Sequence, residues 1–317
     1  MTAPSSHIGI VIPYYNAKDF IVSVVRKAAM YSTHIVIVND QSKEPLPMEA
    51  LKEFKGVTIL DNPINLGVGG ATKRGFEHFL TVDEVKVIVK LDADDQMDTN
   101  YLPELVSGIT QDNCGFAKGN RFRDFKALKE MPKGRRFGNL FLSFLSKIAT
   151  GYWGCFDFNN GYFAINKKHL AVMDLDSLSN NYFFETSLIS SLYYQQVKIK
   201  EVAMPAIYGG ETSNMNILKM PFLFSANLLK KFVARIWKAY FVYDFNIGTL
   251  YITFGSLLFS GGLIFGGISW YQNASQGELT PTGTIMISTL LVILGFQLLL
   301  QAVQFDIINS PKTLKDA

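Results

Sequence analysis

Between residues 245 and 305 the chain carries a single charged side chain, Glu278. No other feature limits the fold as much, because such runs do not stay in water. The uncharged segments 245–277 and 279–305 each exceed the roughly 20 apolar residues that cross a bilayer as a helix. They predict a transmembrane hairpin with spans near 247–271 and 282–305. Lys230, Lys231, Arg235 and Lys238 precede the first span, Lys312 and Lys315 follow the second, and the connecting loop has neither Lys nor Arg. The excess of positive charge at both ends predicts that they, and the globular part with them, face the cytosol. The expectation is an integral protein of the cytoplasmic or endoplasmic-reticulum membrane.

Residues 1–215 read as the globular domain. Ile8 to Ile12, Ile35 to Val38, Val57 to Leu60 and Val85 to Leu91 are short apolar runs. Helical patterns lie between them at 20–29 and from Asn65 to about Leu80. Strands alternating with helices at this spacing predict right-handed βαβ units and a mostly parallel sheet with flanking helices. Each run closes in a polar cluster, and ligands of open α/β sheets bind beyond the carboxyl ends of strands. The last cluster, Asp92-Ala93-Asp94-Asp95-Gln96, is the most informative. Strand alternation turns Asp92 and Asp94 the same way. Two carboxylates there suit a hard divalent cation shared with substrate phosphates.

Other segments are less decided. The glycines of Asn65-Leu66-Gly67-Val68-Gly69-Gly70 follow the third strand. A dinucleotide fingerprint would follow the first, and no G-K-[ST] closes a P-loop. They serve either close backbone approach to a ligand or tight helix–strand packing. Residues 131–136 form a basic cluster that reads as a phosphate grip beside an apolar helix at 137–148. Asp157 and Glu185 stand among aromatic residues. Residues 216–244 form a juxtamembrane region. Within it Leu229, Phe232, Val233, Ile236 and Tyr240 share one helical face, and Lys231, Arg235 and Lys238 the other, as in an interfacial helix on an anionic leaflet. Gly262-x-x-x-Gly266 marks close packing, within the hairpin or between subunits of a homo-oligomer. Net charge is +3, too small to argue for nucleic acid, and two cysteines, Cys114 and Cys155, fit neither a disulfide framework nor a zinc spacing.

Taken together, Pro13-x-Tyr15-Asn16, Val38-Asn39-Asp40-x-Ser42, Asn65-x-Gly67-x-Gly69, Asp92-Ala93-Asp94-x-Gln96 and Gly119-Asn120-Arg121 resemble the GT-A glycosyltransferases of inverting family 2. Arg135-Arg136-Phe137-Gly138-Asn139 and Asp157-x-x-Asn160-Gly161 are similar to the polyprenyl-phosphate sugar synthases within it. That group contains dolichol-phosphate mannose synthase and bacterial undecaprenyl-phosphate glucosyltransferases. The resemblance implies a Rossmann-like GT-A domain that moves a hexose from a UDP- or GDP-linked donor to a polyprenyl phosphate. It implies Mg²⁺ or Mn²⁺ at Asp92, Asp94 and Gln96. Donor contacts are implied at Pro13, Tyr15, Asn16, Asp40, Gly67, Gly69, Lys73, Asp92 and Arg121. Acceptor-phosphate contacts are implied at Arg135, Arg136 and Asn139. Catalytic positions are implied at Asp94, at Asp157 as acid or base, and at Glu185 near the sugar. The pattern departs from the group at Ala17, Asp95 and Phe163. The rivals are a processive polysaccharide synthase, whose Gln-x-x-Arg-Trp motif is missing, and a membrane-tethered nucleotide-sugar binder without catalysis.

Overall fold

The computed structural model describes residues 4–123, 133–205 and 220–315. It divides into two compact units, Met1–Phe232 with Pro311–Ala317, and Val233–Ser310. The first unit is built on an eight-stranded sheet. Its strands are β1 (Ser5–Tyr14), β2 (Ser32–Asn39), β3 (Val57–Asp61), β4 (Val87–Lys90), β5 (Phe116–Asn120), β6 (Phe163–Asn166), β7 (Ile199–Ala203) and β8 (Thr313–Lys315). The order across the sheet is β3-β2-β1-β4-β6-β5-β7-β8. Strand β6 runs antiparallel to β4 and β5, and the other pairings are parallel. This reversal matters for function. It brings the loop that enters β6 to the same rim as the outgoing ends of β4 and β5.

Periodicity explains the layers. Helix α1 (Lys18–Ala28) buries Ile21, Val24, Val25 and Ala28 at helical spacing. With Leu102, Leu105 and Ile109 of α4 (Leu102–Thr110) they pack on Ile10, Ile12, Ile35, Ile37, Val87 and Val89, alternate residues of the inner strands. A four-residue helix, α2 (Met48–Leu51), precedes β3. The other face is covered by α3 (Gly67–Leu80), whose Phe76 meets Phe163 edge-on at 6.4 Å and Phe184 at 6.1 Å. Gly75 lets α3 approach Val11 of β1, where a Cβ would lie 2.4 Å from a valine methyl. Further on come α5 (Lys133–Thr150), α6 (Lys167–Ala171), α7 (Phe184–Tyr193) and α8 (Met220–Trp237). Phe224 and Leu228 of α8 join Ala149 of α5 and Phe183 in a second small core. Leu140, Phe141 and Phe144 of α5 stay exposed.

After the hairpin, Thr313–Lys315 pairs in parallel with Ile199–Glu201 as the edge strand of the sheet. Ile199 N–H donates to the Lys312 carbonyl at 3.0 Å. An uncovered β7 edge would present unpaired backbone groups, and the returning chain covers it.

The second unit contains α9 (Ile247–Ser275) and α10 (Thr282–Ile308), with mean hydropathy 1.6 and 2.1, both long and apolar enough to cross a membrane. They pack antiparallel along a seam of small residues. Gly255 faces Leu299, Gly262 faces Leu291 and Val292, Gly266 faces Ser288, and Gly295 faces Phe259. The Gly262-x-x-x-Gly266 pair therefore serves packing within the hairpin. Ser288 Oγ also donates to the Gly262 carbonyl at 3.1 Å. Arg235 is a correction to the interfacial-helix reading. It shares a helical face with Lys231 but is buried rather than turned to an interface, with its guanidinium on Asp306 at 2.6 and 3.0 Å. Tyr240 Oη donates to the same carboxylate at 2.8 Å. A carboxylate in the last turns of an apolar helix needs a counter-charge, and Arg235 supplies it. Leu229, Val233 and Trp237 form an exposed apolar ridge on α8.

Candidate active site

At the rim formed by β4, β5 and the entry to β6 lies a cleft of about 230 Å³, lined by Asp92, Asp94, Gln96, Asp98, Arg121 and Asn160 among others. Asp92 and Asp94 share it, both lying just beyond the end of β4 at Lys90. The turn that follows separates Asp95 from them. Asp95 takes a left-handed φ of 58° and reaches back to α1, where Lys27 Nζ meets it at 2.7 Å and Ser23 Oγ at 2.9 Å. The departure at position 95 is thus a strap between turn and helix. Gln96 N–H donates to Asp94 Oδ1 at 3.1 Å, which tightens the turn.

Beneath Asp92 lies a buried charge cluster. Lys90 Nζ contacts Asp92 Oδ1 at 2.8 Å and Glu185 Oε1 at 3.2 Å. Burial by itself would push the ammonium's pKa down, but Asp92 and Glu185 outweigh it and hold Lys90 above the ordinary lysine range. Burial raises Glu185, which shares that single ammonium with Asp92. Glu185 therefore contacts the cleft through Lys90 and is not one of its lining residues.

Across the cleft stands a second pair. Arg121 donates from Nε to Asp157 Oδ2 at 2.8 Å, from Nη2 to Oδ1 at 2.7 Å and from its backbone N–H to Oδ2 at 3.0 Å. Burial would raise Asp157, but Arg121 and then Lys118 overcome it and hold the carboxyl below its ordinary value. The carboxylate is therefore a fixed anion, engaged on both oxygens. Two residues that the sequence reading passed over support this pair. Lys118, fully buried, donates to the Gly119 and Phe156 carbonyls, each at 2.8 Å. Glu201, also buried, accepts from Asn120 Nδ2 at 2.9 Å and from Phe156 N–H. Their signal was present: a charged residue inside an otherwise apolar strand, as in Phe116-Ala117-Lys118 and Ile199-Lys200-Glu201-Val202, demands a partner.

The remaining predicted positions divide. Pro13, Tyr15 and Asn16 lie at the end of β1, where Asn16 Oδ1 accepts from Ser42 Oγ and Lys43 N–H at 3.0 Å. Tyr15 is exposed. Asp40, implied as a nucleobase contact, is held by the chain's own groups in this structure. Its carboxylate is 3% exposed and accepts from Asn62 Nδ2, Leu66 N–H and Gly67 N–H, each at 2.8 Å. Gly67 and Gly69, implied as donor contacts, are closely packed. Gly67 has φ 81°, and a Cβ on Gly69 would lie 2.4 Å from the Ser179 carbonyl oxygen. Gly69 and Gly70 N–H donate to the Asn180 carbonyl, and Lys73 Nζ to that of Leu178 at 3.3 Å. The start of α3 is thus closed by the chain's own groups. We expect Gly69→Ala to destabilise the first unit by about 2 kcal/mol through overpacking. Gly138→Ala, at a position with no described residue within 4 Å of an added Cβ, should leave the melting temperature unchanged or higher. Equal melting curves for both variants would contradict the packing role. Arg136 is half-buried, whereas the side chains of Arg135 and Asn139 lie outside the described residues.

Whether a cation fits is decided by the donor set. Asp92, Asp94, Gln96 and Asp98 offer only oxygens to one cleft, as a hard divalent ion requires. Among the described residues no three His, Cys, Asp or Glu converge on one point, so ligand oxygens would have to complete the coordination. Such a partial shell suits Mg²⁺ or Mn²⁺ on a diphosphate.

The pattern described as Glycosyl transferase family 2 matches residues 9–173, the span that builds this cleft. The chain belongs to glycosyl transferase family 2. A UDP-N-acetylglucosamine–dolichyl-phosphate N-acetylglucosaminyltransferase of Methanococcus voltae is 27% identical over 218 residues, covering 63% of this chain and 86% of that one. An uncharacterised protein of Methanocaldococcus jannaschii is 29% identical over 203 residues, covering 63% and 82%. Glucosyl-3-phosphoglycerate synthase from Mycobacterium tuberculosis, solved with UDP, superposes with a TM-score of 0.51 at 16% identity, covering 73% and 80%. That likeness shows the shared fold. As a family 2 glycosyltransferase with a GT-A sheet, the protein is a nucleotide-sugar transferase.

Proposed function

We propose that this glycosyltransferase moves a hexose from a UDP- or GDP-sugar to a polyprenyl phosphate at the cytosolic leaflet, inverting the anomeric centre. The observation that carries the reading is the pairing, in one chain, of an acidic cleft faced by Arg121 with two span-length apolar helices. The similarity to a dolichyl-phosphate transferase supports the acceptor class. Lys230, Lys231 and Lys238 before the hairpin and Lys312 after it support a cytosolic globular unit. The chain also returns from the hairpin into the sheet as β8, in keeping with an even number of crossings. Exposed Leu140, Phe141 and Phe144 offer an apolar surface beside Arg136 for a lipid acceptor.

In this reading Asp92, Asp94 and Gln96 would hold Mg²⁺ or Mn²⁺. When bound, such an ion supplies Lewis-acid charge to the departing nucleoside diphosphate. The turn at Pro13, Tyr15 and Asn16 borders the nucleobase. Arg121 holds donor phosphate and Arg136 that of the acceptor, while Asp157 fixes the orientation of Arg121. A lipid phosphate has its second pKa near about 6 and arrives largely ionised, so the nucleophile needs little help from a base.

The test is full-length protein in detergent with polyprenyl phosphate and a panel of labelled UDP- and GDP-sugars. A lipid carrying one sugar, lost in EDTA, is the expected product. A polymer would point to a processive synthase, and nucleotide binding without product to a non-catalytic role. Full activity in EDTA would remove the metal assignment.

A further inference from the structure

Lys90 closes β4 with its side chain 1% exposed, and its ammonium meets two carboxylates from different elements. Asp92 belongs to the strand end, and Glu185 to the first turn of α7. Gly161 lies over the group. A Cβ there would stand 2.5 Å from Lys90 Nζ and 3.2 Å from both Asp92 Oδ2 and Glu185 Oε1. The loop from Asp157 to Gly161 therefore rests on the charge cluster, and only glycine lets it come so near. Pairing one buried glutamate would take only one lysine contact. Here the same ammonium also takes Oδ1 of Asp92, and among the described residues Oδ2 has no hydrogen-bond partner, in a side chain that lines the cleft.

We propose that Lys90 is a positioning residue for the donor. By gripping Asp92 Oδ1 from below and bracing against Glu185, it fixes the carboxylate that presents Oδ2 to the diphosphate and its divalent cation. Lys90 itself touches neither. Metal-binding carboxylates are commonly held by such outer partners, and losing the partner costs about 10- to 100-fold in metal affinity. The proposal rests on the reading of the cleft as a metal–nucleotide site.

Removing Lys90 alone would strand Glu185 as a buried, unpaired anion, so the test uses the charge-balanced double variant Lys90→Met/Glu185→Gln, with Glu185→Gln as its control. Full-length protein is titrated calorimetrically with UDP and with GDP, with and without MnCl₂, and the melting temperature of each variant is recorded. In the wild type, Mn²⁺ should tighten binding of one nucleotide. In the double variant that gain should shrink by about 10- to 100-fold, with metal-free affinity and melting temperature near wild type. Glu185→Gln should keep most of the gain, because Lys90 still holds Asp92. A double variant that retains the full Mn²⁺ gain overturns the proposal. So does a Glu185→Gln variant that loses as much as the double. If the wild type itself shows no Mn²⁺ gain with either nucleotide, the metal–nucleotide reading fails and Lys90 loses this role with it. That pattern differs from one in which wild type and double variant gain alike.

Discussion

Asp94→Ala is expected to abolish turnover, by about 10³-fold or more, equivalent to about 4 kcal/mol of barrier, and excess Mn²⁺ is not expected to restore it. Asp94 lines the cleft beside Asp92, and its backbone turn is held by the Gln96 N–H. Losing it leaves a half-engaged carboxylate and an amide facing a doubly charged ion and a diphosphate. High metal concentration compensates for weak affinity but does not replace a missing ligand in a shell that ligand oxygens already have to complete. The measurement is kcat and KM for donor and acceptor over a Mn²⁺ series, with the melting temperature as a check on folding. Activity restored to within about tenfold of wild type at saturating Mn²⁺ would show that Asp94 is peripheral.

Asp157→Asn should lower kcat/KM by about 100-fold, or about 2.7 kcal/mol, with the deficit constant from pH 6 to 8.5. Arg121 binds both oxygens of Asp157 and holds the carboxyl below its ordinary value. A base must release its partner and accept a proton, and an anion so held does neither well. Its effect should therefore pass through Arg121, whose guanidinium would swing away from the donor phosphate once one charged oxygen is lost. The acid limb of the rate profile should follow the acceptor phosphate and stay in place in the variant. A general base would behave differently. The deficit would then vary with pH, or activity would vanish even where the phosphate is fully ionised.

The same pair has a consequence for stability. A carboxylate whose folded pKa is depressed contributes stability above its unfolded value, near about 3.9, and that contribution is lost as pH falls through the lower folded value. Acid unfolding of the wild type should thus steepen below about pH 4, and Asp157→Asn should flatten that limb.

Much of this architecture was legible from residue order. The first four strands followed from short apolar runs, and α1 and α3 from a helical period of about 3.6 residues. The two long helices were visible in 245–305 because a bilayer-spanning segment is defined by composition over a local window. Asp92 and Asp94 stand two residues apart just past β4, so a shared cleft was readable from the sequence, although a turn rather than strand alternation places them. All of these are short-range properties, encoded by residues close together in the chain.

What tertiary structure decided was pairing across long separations. Lys90 meets Glu185 95 positions away, Arg235 meets Asp306 71 away, and Arg121 meets Asp157 36 away. No local pattern names such partners, although a charge in an apolar strand or helix announces that one exists. The reversal of β6, the return of the tail as β8, and the closing of α3 by Asn180 are likewise choices among pairings that local sequence leaves equivalent. Sequence alone determined which segments become strands, helices and membrane-length spans, since backbone periodicity and transfer energy act locally. Which charge neutralises which was settled only when the sheet brought distant segments to one rim.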